Sequence, residues 1–551
     1  MSLRTLPPRL RWPPMARIWQ QIGPWRLFAV VAGGLLFAPI LVTLAGWLSP
    51  DHEVWQHLVD TLLVEILRNT LILILGVGAL VICLGVGLAW LTAVCDFPGR
   101  RFFDWALMLP LAMPAYVLAF VVVGFFEYAG PLQSSLRDLF GGDFQLPSIR
   151  SAPGIVLVMG LVFYPYVYML TRAAFLTQGR TSLEAARIHG LGPWRAFFRV
   201  GLPMARPAIA AGTALALMET LADFGAVSVF GFQTFTTAIY RAWFGFFSIE
   251  AAAQLASILL LIILLGLWLE RRARGRARFG QETARRLERI QLRGWRRWAA
   301  TAAAGTVLAL GFILPVAQLL IWAFGDVSSI DSAYFGLIRN TLILGGIAAL
   351  LTVTIALLLA YARRVHTDPW TQRAVTAATL GYALPGSVLA VGIMLSLTWL
   401  DHALAAGLPA WDGLGTTFLA GSVVALIMAY IVRFMAVAYG TVDSSLERIR
   451  PALRDAARSL GASEREVVRR VYVPILTPGL LTALLLVGVD VMKEMPATLL
   501  LRPFGWDTLA VRIFEMTVEG QWERAALPAI ALVAVGLLPV ILLVRGSARG
   551  Q

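Results

Sequence analysis

The chain has 551 residues, 58% hydrophobic and 14% charged, with a mean hydropathy of +0.75 and a net charge of +14. These values exclude an array of ordinary soluble domains and describe a polytopic membrane protein. A helical span needs about 20 apolar residues, so a dozen spans use up the length and leave little for a separate soluble domain.

Residues 1–25 are basic and proline-rich, with Arg4, Arg9, Arg11 and Arg17, and lead directly into an apolar run from Arg26 to Leu48. That run is longer than a cleavable signal core and lacks a small-residue cleavage site, so it reads as a retained first span behind a cytoplasmic tail. Further apolar runs lie at about 69–95, 104–126, 153–177, 205–230 and 250–269. After a break, six more follow at about 299–324, 340–362, 374–398, 414–440, 475–501 and 525–544, which makes twelve spans. Cys83 and Cys95 have no metal-like spacing and the five histidines are scattered, so all seven read as structural.

Arginine-rich segments at Cys95–Asp104, Arg172–Arg206, Arg271–Arg297, Arg363–Arg373 and Arg448–Arg470 fall at every second loop. Positive charge stays inside during insertion, so these loops and both termini are predicted to be cytoplasmic. The other loops carry Asp51, Glu53, Asp60, Asp143, Asp326, Asp331, Asp401 and Asp412. The segment 271–298 is a basic connector; its eleven arginines between Arg271 and Arg297 suit anionic lipid headgroups rather than nucleic acid. It separates a first repeat, 26–270, from a second, 299–545, and residues 546–551 form a cytoplasmic tail.

Asn69-Thr70-Leu71 recurs as Asn340-Thr341-Leu342, Pro114 as Pro385, Gly190 as Gly461, Pro203 as Pro474, Pro207 as Pro478 and Arg241 as Arg512, each pair 271 residues apart. Six spans per repeat is an even number, so the halves are parallel repeats about an axis along the membrane normal. Between spans four and five (about 180–203) stand Glu184, Ala185, Ala186 and Gly190, followed by Pro203. Between spans ten and eleven (about 447–474) stand Asp455, Ala456, Ala457 and Gly461, followed by Pro474. An acidic residue and alanines open a short helix, glycine permits the turn that ends it, and proline starts the next span. Lys493 is the only lysine, and it is not in a phosphate-binding glycine loop, so ATP is not bound that way on this chain.

These paired loops resemble the EAA loops of permease subunits of binding-protein-dependent ABC importers. The resemblance implies an all-α, twelve-span type I permease fold with two permeases fused. It is greatest to iron(III) permeases, carried by Glu219–Gly225 with Gln233–Phe247, and by Val491–Leu499 with Arg502-Pro503-Phe504. It implies two copies of a separate ABC ATPase subunit, which would hold ATP and Mg, docked on the two loops, and a periplasmic substrate-binding protein. Asp455 replaces the motif's usual Glu. This chain would then be a transport subunit of the bacterial inner membrane, with no catalytic residues, no cofactor and no stable metal of its own. Permeases for thiamine or a phosphonate are alternatives within the class.

Charges inside spans mark a pathway. Glu219 and Asp223 share a helix face at i, i+4, and Asp490 and Glu494 stand 271 residues on. A helix breaker, Gly225 or Pro496, follows two residues after the second acid in each half. Four such carboxylates suit a hard cation such as iron(III); the competing reading is that they cap helices. Lys493, three residues after Asp490, is placed to neutralise it. Tyr164, Tyr166 and Tyr168 are expected to be packing residues, and Arg172 and Arg433 to snorkel to headgroups. Intramembrane acids also fit a proton-coupled secondary transporter, which gives no reason for two matched EAA loops. An enzyme is disfavoured, since HExxH, GxSxG and clustered histidines are missing.

Overall fold

The computed structural model describes residues 23–141, 144–177, 191–274, 289–325, 332–407, 418–447, 449 and 451–549. The twelve predicted spans are all present as helices: α1 (Pro24–Ala45), α2 (His52–Val94), α4 (Ala115–Phe126), α6 (Ala152–Thr177), α7 (Trp194–Ala222), α10 (Ile249–Arg274), α11 (Trp295–Gly325), α12 (Ser332–Val365), α14 (Gly386–Gly407), α15 (Val423–Glu447), α17 (Arg469–Lys493) and α20 (Trp522–Arg549). Shorter helices connect them: α3 (Arg100–Ala106), α5 (Pro131–Phe140), α8 (Gly225–Val229), α9 (Phe235–Tyr240), α13 (Pro369–Thr379), α16 (Pro451–Ser459), α18 (Pro496–Leu501) and α19 (Leu509–Val518). Hydrocarbon cannot solvate a backbone, so helices that bond their own N–H and C=O groups are the expected solution.

The boundaries differ from the apolar runs where polar residues join a helix. α2 begins at His52, capped by Asp51, so Glu53 and Asp60 lie on its first turns and not in a loop. Asp401 is likewise helical and fully buried, accepting from the backbone N–H groups of Leu419 and Ala420 at 3.0 Å. Asp143, Asp326, Asp331 and Asp412 lie outside the described residues. The prolines predicted to start spans stand in the first turn of the regular α-helix, at the second residue of Leu202–Ala222 and of Val473–Lys493, although each span extends back beyond it. Pro203 follows a wide π turn, Phe197–Gly201, and Pro474 follows another, Val468–Tyr472, in helices that begin earlier. The missing proline N–H and the bulk of its ring are absorbed by widening the preceding turn.

The third span of each half is broken. A 3₁₀ turn, Leu109–Ala112, precedes Pro114 and α4, and its equivalent, Leu380–Ala383, precedes Pro385 and α14. The freed carbonyls are bonded by side chains, Leu107 by the Tyr164 hydroxyl at 2.8 Å and Leu384 by Arg433 Nη1 at 2.8 Å.

The halves interlock through their outer spans. One core joins residues of α2, α4, α6 and α7 to Ala304, Leu308 and Trp322 of α11 and Ala529 and Leu532 of α20. Another joins α12, α14, α15 and α17 to Ala29, Leu36 and Ile40 of α1 and Leu260 of α10. Each half therefore lends its first span to the other, while its last span bridges the two; most buried residues of α10, from Ala251 to Ile263, sit in a third core with Phe235 and Ile239 of their own half. A side chain on Gly392 would collide with the Pro39 carbonyl and the Thr43 hydroxyl, so glycine is what lets α1 lie against α14. The only strands among the described residues, β1 (Cys95–Asp96) and β2 (Ile290–Gln291), pair in parallel and fix the end of the basic connector to the first half.

Candidate functional site in the central cavity

The fifth and eleventh spans break at their acids. α7 stops at Ala222 and α8 starts at Gly225, leaving Asp223 in extended backbone; α17 stops at Lys493 and α18 starts at Pro496, leaving Glu494 extended. Each acid then caps the short helix that follows. Asp223 Oδ1 accepts from the N–H of Ala226 (2.9 Å) and Val227 (3.2 Å), and Glu494 Oε1 from that of Ala497 (3.1 Å). Their own carbonyls accept from Thr236 and Thr498 at 2.7 and 2.6 Å. The Asn of the repeated Asn-Thr-Leu fixes the following loop: Asn69 donates to the Gln233 carbonyl, and Asn340 to those of Gly505 and Asp507.

The two breaks meet at the centre of the molecule. A side chain on Gly225 would strike Tyr116 and Met495, one from each half. Around them lies a cavity with about 980 Å³ of atom-free space, lined by Glu219, Asp223, Asp490 and Glu494 together with Arg433 and Lys493. All four predicted carboxylates are therefore brought to one place, and the capping reading holds for Asp223 and Glu494 as well. Among the described residues no three acids, histidines or cysteines are grouped closely enough to hold a metal ion. The four acids line the cavity and do not form a ring of ligands, because two of them are committed to helix ends.

Arg433 overturns the snorkelling expectation. Its side chain is 12% exposed and its Nε lies 2.9 Å from Glu494 Oε2, itself 5% exposed. A cation with a buried carboxylate and an unwound carbonyl beside it has better partners than a distant headgroup. Arg172 is also held inside, gripping both Asp104 oxygens at 2.6 Å. The second half does not repeat that pair: Asp443 stands at the 271-residue offset from Arg172 and is met by Arg363 at 3.6 Å, while the offset from Asp104 gives Val375.

Of the tyrosine triplet, Tyr164 and Tyr168 are buried packing residues that donate to the Leu107 and Asp104 carbonyls, whereas Tyr166 lines the cavity. Tyr116 and Tyr382 line it too and escaped the sequence reading. Their signal was a polar aromatic two residues after Pro114 and three before Pro385, the repeated breakers.

Of the two segments expected to couple to an ATPase, the first, with Glu184, Ala185, Ala186 and Gly190, lies outside the described residues. In the second segment Ala456 and Ala457 lie on α16 with Asp455, and Gly461 takes a left-handed φ of 86°. Its N–H bonds the Arg458 carbonyl (2.9 Å) and that of Ala462 bonds Ala457 (3.1 Å), the paired bonds of a glycine-terminated helix.

Residues 82–278 match the family described as binding-protein-dependent transport system inner membrane component. The chain is 29% identical over 493 residues to the Fe(3+)-transport system permease protein FbpB 2 of Haemophilus influenzae, covering 87% of this chain and 89% of that one. It is 32% identical over 203 residues to the molybdenum transport system permease protein ModB of Escherichia coli K12, covering 35% of this chain and 87% of that one. Similarity to the sulfate transport system permease protein CysW of Escherichia coli K12 is 31% over 211 residues, 38% of this chain and 71% of that one. With its twelve spans, repeated broken helices and full-length likeness to an Fe(3+) permease, the chain belongs to the inner membrane components of binding-protein-dependent transport systems, as two permeases fused in one polypeptide.

Proposed function

We propose that this permease carries iron(III), delivered by a periplasmic binding protein, into the cytosol by alternating access, driven by two copies of a separate ATPase subunit. The observation that carries the substrate assignment is the end-to-end likeness to an Fe(3+)-transport permease. A cavity lined by four carboxylates supports it, since iron(III) prefers oxygen donors. Glu219, Asp223, Asp490 and Glu494 are then residues of the pathway or its gate, opened and closed as the halves rock.

Glu184, Ala185, Ala186 and Gly190 in the first half, and Asp455, Ala456, Ala457 and Gly461 in the second, are assigned to ATPase coupling. In support, α16 and the turn after it expose Leu453 and Leu460, the latter to 88%, which gives a partner an apolar surface to cover. ATP and Mg belong to that partner. Both termini are assigned to the cytoplasm from the arginine pattern.

A second reading, transport of an oxyanion, draws on the cations Arg433 and Lys493 in the cavity and on the relatives named for molybdenum and sulfate. Uptake by vesicles containing the chain, its binding protein and its ATPase separates the two. Iron(III) uptake that needs ATP and survives a protonophore is expected. ATP-driven uptake of molybdate, sulfate or a phosphonate without iron(III) would replace the assignment, and protonophore-sensitive uptake indifferent to ATP would indicate a secondary transporter.

A further inference from the structure

The two halves present the same acids to the cavity but not the same bases. Glu494 is held by Arg433, and Asp490 lies in the field of Lys493, one turn along its helix. Subtracting the 271-residue offset turns Arg433 into Val162 and Lys493 into Ala222, and both of these line the cavity. Glu219 and Asp223 thus have apolar residues where their counterparts have cations, and among the described residues the only cation acting on either is Arg433, which reaches Glu219 from the other half. Among the described residues neither is in an ion pair, and the helix cap uses only Oδ1 of Asp223.

A second observation lies between the two acid pairs. Tyr116 is 5% exposed and lines the cavity, and its buried hydroxyl has no hydrogen-bond partner among the described residues. It stands in the field of both Asp223 and Glu494. A buried hydroxyl without a partner is unfavourable and marks a place where a ligand would supply one. Tyr166 stands in the field of Glu219, and Tyr382, from the second half, hydrogen-bonds that carboxylate.

We propose that the substrate-contacting face of the cavity belongs to the first half alone. Glu219 and Asp223, with the hydroxyl oxygens of Tyr116 and Tyr166, form a passing site for a hard trivalent cation, while in the second half Arg433 ion-pairs Glu494 and Lys493 stands beside Asp490. The proposal rests on the cation reading above. Carboxylate and phenol oxygens are the donors such an ion prefers, and two carboxylates outside any ion pair in a low-dielectric wall attract positive charge. The opposite wall, with its own cations, repels the same ion and keeps its hold weak enough for release. The site is thus one-sided although the protein is a repeat.

Terbium(III), a hard trivalent ion whose emission is excited through neighbouring aromatic rings, tests the site on the purified full-length chain. Glu219→Gln is expected to weaken terbium binding at least tenfold, and Glu219→Asp to restore part of it. Ala222→Lys, which installs in the first half the counter-ion of the second, is expected to abolish it. The loss for Glu219→Gln should exceed that for Asp490→Asn at least tenfold. Equal losses in those two variants, or undiminished binding in Ala222→Lys, would overturn the one-sided site. Substrate and site fail separately: terbium binding through Glu219 without iron(III) uptake by the wild-type chain sinks the substrate assignment and supports the site. Iron(III) uptake with terbium binding indifferent to Glu219 does the reverse.

Discussion

Replacing Arg433 with Met removes the cation that ties together two helix breaks. In the structure Arg433 donates to Glu494 at 2.9 Å and to the freed Leu384 carbonyl at 2.8 Å, and both charged side chains are nearly buried. Breaking one partner of a buried pair costs about 3–5 kcal/mol, and an orphaned carbonyl about 1–3 kcal/mol. The two do not add in full, because they share one side chain and Glu494 keeps its bond from the Ala497 N–H. A net loss of about 4 kcal/mol is therefore expected from Arg433→Met. Adding Glu494→Gln removes the stranded acid while leaving an oxygen to accept from Ala497, so the double variant should recover about 2 kcal/mol of that loss. Equilibrium unfolding in mixed micelles, followed by far-UV circular dichroism, measures both. An Arg433→Met chain within about 1 kcal/mol of wild type, or a double variant no more stable than the single one, would refute this account of the buried pair.

Two further predictions concern helix ends outside the spans. Gly461 sits at φ 86°, where a side chain costs about 1–2 kcal/mol. Gly461→Val should therefore lower copurification of the ATPase and substrate-stimulated ATP hydrolysis, and Gly461→Asn, which tolerates that conformation, should keep most of both. Asp368 caps α13 and lies 3.5 Å from Arg26, just below α1. The Thr371 hydroxyl and backbone N–H, with Arg26, hold its carboxyl below the usual range. A depressed folded pKa contributes stability that is complete above the unfolded value of about 3.9 and is lost as pH falls through the folded one. The melting temperature of wild type should thus drop more steeply below about pH 4 than that of Asp368→Asn, and parallel curves would count against the cap.

Much of this architecture is legible before any coordinate is seen, because hydrocarbon imposes a simple rule on sequence. Twelve apolar runs, the 271-residue repeat and the intramembrane acids all follow from what a span must exclude, and the repeat already pairs Glu219 with Asp490 and Asp223 with Glu494. The breakers Gly225 and Pro496 mark where the helices interrupt. Local chemistry carries that information, so local reading retrieves it.

Partnership across the chain was decided by tertiary structure. Nothing near Arg433 in sequence points to Glu494, 61 residues on, and the snorkelling reading failed because a side chain's alternatives to water depend on which helices surround it. Arg172 turned inward to Asp104 for the same reason. The exchange of first spans between halves is invisible in a repeat, which states what each half contains but not which half it packs against. The sequence by itself determined a fused twelve-span permease with acids in its middle. Packing alone decided that those acids share one cavity and that Arg433 pairs with Glu494 inside it, because both depend on distances between residues far apart along the chain.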